Sequence, residues 1–124
     1  KSEGDFKSTL SNANFERFRA ELCRTRDFDS YLYVVVESSI EKIEKDNKYK
    51  PYKVNLKYIF HNMRLLQHEF SGNCQFIFTG SREKSEALIP KLLYHGKKLW
   101  NVDLQYYIDK HGISSPQKKT ACNL

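Results

Sequence analysis

Lys1 and Asp5 put an amine and a carboxylate four residues apart, a spacing that brings two side chains onto adjacent turns of one helical face. Spacing alone is more often an ordinary solvated segment whose acid sits at a helix start. Arg17, Arg19, Arg24 and Arg26 lie off the apolar stripe Phe15, Phe18 and Leu22. Guanidinium groups on one helix can contact phosphates, and they can equally form a solvated face. Glu37 ends an apolar run, where catalytic groups of α/β sheets gather, or it caps the next helix.

Other reactive residues lack a constellation. His61 and His68 are seven apart, whereas a helical metal pair prefers three or four. Cys23 has no His and acid partners in sequence and reads as a small core residue. Ser81 after Gly80 fits a plain helix cap better than a phosphate cradle, and no G-x-G-x-x-G or Walker pattern is present. Tyr49, Tyr52, Tyr58, Tyr94, Tyr106 and Tyr107 could stack on bases, but the core rim is the plainer place for them.

These residues must be held by one domain, since 124 residues suffice for a single core. An aromatic content of 14% argues for a packed globule, and a net charge of +6 favours polyanionic partners. Cys23, Cys74 and Cys122 form no C-x-x-C pair, which points to a reducing cytosol, or a nucleus in a eukaryote. No apolar run approaches the roughly 20 residues of a membrane helix.

The pattern predicts helix, strand, helix, strand, helix. Residues 5–11 read as a short helix or turn, with Asn12 and Asn14 as candidate caps for the next helix. Leu32 to Val36 and Cys74 to Thr79 are continuous apolar runs, as in parallel strands buried on both faces. A short helix starts at Ile40, and residues 44–53, Lys-rich with Pro51, read as an exposed loop. Leu56, Ile59, Phe60, Met63, Leu66 and Phe70 trace a helix capped by Asn55. The next helix kinks or restarts at Pro90, and Lys97 to His111 is a last amphipathic stretch. Residues 1–112 form the domain and 113–124 a polar tail. Two parallel strands are too few for a stable layer, so further strands are expected beside them, from upstream of Lys1 or from a partner.

Four segments, in order, resemble the XPF-type nuclease domain in its compact phage and bacterial form, whose pattern is G-D…E-R-K-x-x-x-D. Lys1 to Asp5 matches K-x-x-x-D, and Arg17 to Leu22 matches R-F-x-x-E-L. Leu32 to Ser38 stands where the family has L-V-V-V-E-G, with Ser38 in place of Gly. Phe76 to Glu83 is similar to V-I-F-A-G-S-R-E, and the likeness covers residues 1–95.

The resemblance implies an α/β fold, a restriction-endonuclease-like central sheet flanked by helices, with only part of the sheet in this chain. It implies a Mg²⁺-dependent endonuclease acting on branched or flapped DNA. There, acidic residues hold the metal, which polarises the phosphate and activates water. Lys1 would stabilise charge on the phosphate or orient the water, with Asp5 a supporting carboxylate and Arg17, Arg19 and Arg24 contacting DNA. The family's G-D and Glu would precede Lys1. The expectation is therefore an N-terminally truncated chain, impaired by itself, with no metal ligand of its own assigned. DNA is the implied partner, with pairing to itself or to another nuclease. The alternative is a non-catalytic module that binds DNA or partners an active nuclease.

Overall fold

The computed structural model describes residues 1–113. Its order is α1 (Glu3–Thr9), α2 (Phe15–Asp27), β1 (Leu32–Val36), α3 (Ile40–Lys48), α4 (Leu56–Glu69), β2 (Cys74–Phe78), α5 (Arg82–His95), a 3-10 turn (Gly96–Leu99) and α6 (Leu104–His111). The two apolar runs pair in parallel, Leu32 opposite Cys74 and Val36 opposite Phe78. Side chains alternate across a strand. Val34, Val36, Phe76 and Phe78 therefore meet Phe6, Phe18, Ile43 and Ile59 of α1 to α4. Val35 and Ile77 meet Leu88, Leu92, Leu104 and Ile108 of α5 and α6. Helices on both faces explain why the strands read as unbroken apolar runs.

The two sheet edges differ. On the outer edge of β2, the Gln105 carboxamide acts as a short substitute strand. It accepts from the Phe78 N–H at 2.7 Å and donates to the Phe78 carbonyl at 3.2 Å. On the outer edge of β1, only Lys1 is bonded among the described residues. Its N–H donates to the Val35 carbonyl, and its carbonyl accepts from the Glu37 N–H at 2.8 Å. Those two bonds straddle Val36 in the pattern of a parallel ladder.

Three elements differ from the sequence reading. The expected loop at 44–53 is helical to Lys48. Ser39 caps α3 by accepting from the Lys42 N–H, and the single buried residue Ile43 holds it down. With one anchor there is no apolar period to read. Helix α5 continues through Pro90 and does not restart there, and the exposed position of Pro90 puts the unbonded Glu86 carbonyl on a wet face. The stretch from Lys97 divides into the 3-10 turn and α6, which closes at Gly112 with φ +74°. Asn14 occupies the cap position of α2, but its side chain donates back to the Ser8 carbonyl at 3.0 Å. Apart from Ile113, the expected polar tail lies outside the described residues.

Burial pushes the Cys74 thiol up to about 12, and burial, with Tyr31 beside it, pushes the Tyr33 phenol up to about 12. Both groups keep their proton in the fold where the unfolded chain releases it. Their contribution is complete below the unfolded values of 9.0 and 10.0 and is lost as pH rises toward 12. Titration of Cys74 should lower stability by about 1.4 kcal/mol per pH unit above 9. Partly exposed Tyr33 should add less. Urea midpoints measured between pH 8 and 11 should fall for the wild type and flatten for Cys74→Ala; parallel curves would refute this.

Candidate functional site

Ser2 is extended and accepts from the Asp5 N–H at 3.2 Å, which starts α1 directly after the Lys1 rung. Glu3 and Asp5 lie in the first turn of α1, where the helix dipole favours acids. Phe6, fully buried, fixes the helix against the sheet. Asp5 is thus carried on a short, anchored helix one turn from Lys1, with its side chain in solvent.

Helix α2 supplies the opposite wall. Arg17 and Glu21 are four apart and share a helical face. Lys1, Asp5, Arg17 and Glu21 line one cavity of 250 Å³, together with Ser8 and Thr9. Three residues singled out from sequence, Lys1, Asp5 and Arg17, therefore converge. Glu21, used in the sequence only as a match in R-F-x-x-E-L, joins them. Its signal was the i, i+4 spacing from Arg17.

The arginines split into two groups. Arg19 makes a bidentate ion pair with Glu69 of α4, one arm at 2.9 Å. The hydrogen bond to Glu69 raises the Arg19 pKa and lowers that of Glu69. Arg26 lies over the Phe70 ring at 5.0 Å. These two bind α2 to the α4 region. Arg24, seven residues from Arg17, continues the Arg17 face and is exposed.

The remaining sequence candidates lie elsewhere. Glu37 is half-buried at the end of β1 and does not cap α3, a role taken by Ser39. Glu3 points away from the cavity and accepts from the buried Ser38 hydroxyl at 2.7 Å, with Lys42 at 3.9 Å. His61 faces Arg64 at 3.5 Å, and His68 is exposed on α4. Cys23 packs against the core of the first face, and Ser81 caps α5 by accepting from the Lys84 N–H. Tyr58 bonds Asn12 and Tyr107 packs on the second core, but Tyr49, Tyr52 and Tyr94 are more than three-quarters exposed rather than rim residues.

Among the described residues, no three His, Cys, Asp or Glu side chains come together as a metal cluster, and no helix is long and apolar enough to cross a membrane. Comparison with protein-family models, curated proteins and solved structures found no match.

Proposed function

We propose that this chain carries the phosphate-handling part of a Mg²⁺-dependent, XPF-type DNA endonuclease domain with a restriction-endonuclease-like core. The observation that carries the reading is the shared cavity of Lys1, Asp5, Arg17 and Glu21. Two cations, Lys1 and Arg17, can contact a backbone phosphate, while the two carboxylates require a bound cation before a phosphate can approach them. Lys1 neutralises the phosphate, and Arg17 holds it from the α2 side. Arg24 extends the track by two turns, about 10.5 Å along the helix axis. Magnesium binds through one or two carboxylates and keeps several waters, so the donor set of Asp5 and Glu21 fits it. When bound there, the ion would polarise the phosphate and make water more acidic. The chain's own residues bind and orient the strand. The +6 net charge supports the encounter with DNA.

The test uses labelled forked DNA with and without Mg²⁺. Binding should weaken steeply between about 50 and 200 mM salt, with a log–log slope near −0.9 per phosphate contact. Arg17→Ala and Arg24→Ala should each flatten that slope by about one contact, whereas Arg19→Ala should leave it unchanged. In a protein extended upstream to include the family's G-D and Glu, Mg²⁺ should support nicking, and Asp5→Asn should reduce it about 10- to 100-fold. Salt-sensitive binding without nicking by the extended protein would overturn the enzyme and leave a non-catalytic DNA-binding module. Binding indifferent to salt would overturn both.

A further inference from the structure

We infer that the loop between α3 and α4 holds an unpaired nucleic-acid strand, with Tyr49 and Tyr52 stacking on bases and Lys48, Lys50 and Lys53 on phosphates. The loop carries this by itself; only its link to the cavity rests on the nuclease reading.

The loop is clamped at its ends. Asn47, near the end of α3, donates its carboxamide N–H to the Val54 carbonyl at 3.0 Å and accepts from the Val54 N–H at 3.1 Å. Asn55 then caps α4 by accepting from the Tyr58 N–H. Residues 48–53, between the two ends of the clamp, are all exposed. Tyr49 is 79% exposed and Tyr52 88%. Apolar stabilisation scales with the area removed from water, so rings this bare do little for the core.

Single exposed rings are ordinary, and charge sets this pair apart. Phe28 is as exposed as Tyr49 but lies between Asp27 and Asp29, which repel a polyanion. Residues 47–57 hold four lysines and no acid, in a chain whose whole net charge is +6. Cations and rings alternate as Lys48, Tyr49, Lys50, Pro51, Tyr52 and Lys53. Single strands are held by this combination: cations track the backbone and rings take base faces. In a duplex those faces cover one another, so exposed rings select unpaired bases. The chain from Tyr49 to Tyr52 spans at most about 11 Å, so one short strand reaches both rings. An anionic bilayer fits worse, because surface-seeking segments bury Trp, Phe or Leu, and residues 48–53 contain none.

Lys50 stands beside the Lys7 amine of α1, whose pKa is lowered by burial and by Lys50, while Glu3 and Asp46 oppose the shift. Helix α1 also carries Asp5, so the loop and the cavity flank one helix. On the nuclease reading, the unpaired arm of a fork seated in the cavity crosses α1 to this loop.

The probes are fluorescein-labelled oligothymidylate of about 15 nucleotides and a blunt duplex of the same length, titrated with the full chain and read by anisotropy. Oligothymidylate should bind about tenfold more tightly than the duplex at equal salt. Tyr49→Ala and Tyr52→Ala should each weaken the single strand about tenfold, with duplex binding and the salt slope unchanged. Tyr52→Phe should keep wild-type affinity. Lys48→Gln and Lys53→Gln should each flatten the slope by about 0.7, the single-strand value per contact. All of these side chains are exposed, so the variants keep the fold. Oligouridylate bound with the same dependence on the tyrosines would support the loop equally, and the tighter of the two strands names the sugar. Arg17→Ala should leave the tyrosine effect intact, so the cavity and the loop fail separately. Equal affinity for single strand and duplex would overturn the inference, as would alanine variants that hold oligothymidylate like the wild type. Tyrosine-dependent binding to phosphatidylserine vesicles, without preference for single strands, would overturn it in favour of a membrane contact.

Discussion

Phe6→Ala should destabilise the protein by about 3–5 kcal/mol, a large share of a small domain's total. Phe6 is fully buried although it belongs to a helix of seven residues. Its ring lies 5.3 Å from Phe78, 5.7 Å from Phe60 and 6.3 Å from Phe76, with the two strand contacts near edge-to-face. It therefore joins α1, α4 and β2 at one point. A helix this short has no stability of its own. With the ring gone, α1 would keep only Leu10 and the aliphatic stem of Lys7 as buried anchors, besides its bond to Ser38. Chemical denaturation should show the full loss with an unchanged m-value. Phe6→Leu should recover more than half, because it refills most of the volume. Losses under 1 kcal/mol for Phe6→Ala would mean that α1 does not hold its position through this ring.

How much of this could be read beforehand depends on how each element is stabilised. β1, β2 and α4 were legible because their own side chains repeat the period of their burial. The start of α3 at Ile40 was legible but its extent to Lys48 was not, because Ile43 alone anchors it and its remaining surface is largely charged. The ambiguity at Pro90 was settled by position: the ring and the carbonyl it leaves unbonded fall on the exposed face of α5. The Gln105 plug on β2 left no sequence signature, since a glutamine on a helix face has many ordinary roles.

The site was legible in the same uneven way. Lys1, Asp5 and Arg17 were singled out by residue type, and the turn between α1 and α2 brings them together. Arg19 carried the same signal but is held by Glu69, fifty residues away. Long-range pairing of that kind is invisible in local spacing. Glu21 was present in a quoted motif, but its place beside Lys1 and Asp5 depends on the turn between α1 and α2, which local spacing does not show.

Ser38 shows the converse, where a departure from a motif proves to be structural. The resembled family has Gly at this position, yet Ser38 is fully buried and donates to the Glu3 carboxylate at 2.7 Å. This bond ties the first turn of α1 to the end of β1, and the same turn carries Asp5. Ser38→Gly, the family's own residue, should cost about 1.5–3 kcal/mol, the range for a hydrogen bond to a charged acceptor that is then left partly buried. Glu3→Gln should cost less, since a carboxamide oxygen still accepts. A double-mutant cycle between Ser38→Ala and Glu3→Ala should return a coupling of about 1.5 kcal/mol or more. Lys42, being exposed, should couple to Glu3 by under about 1 kcal/mol. The expected consequence at the cavity is a shift of Asp5 relative to Lys1. Backbone chemical shifts of Asp5, Arg17 and Glu21 should move in Ser38→Gly while those of α6 stay fixed. If Ser38→Gly is as stable as the wild type and leaves those shifts unchanged, Phe6 alone positions α1 and the serine is a neutral replacement.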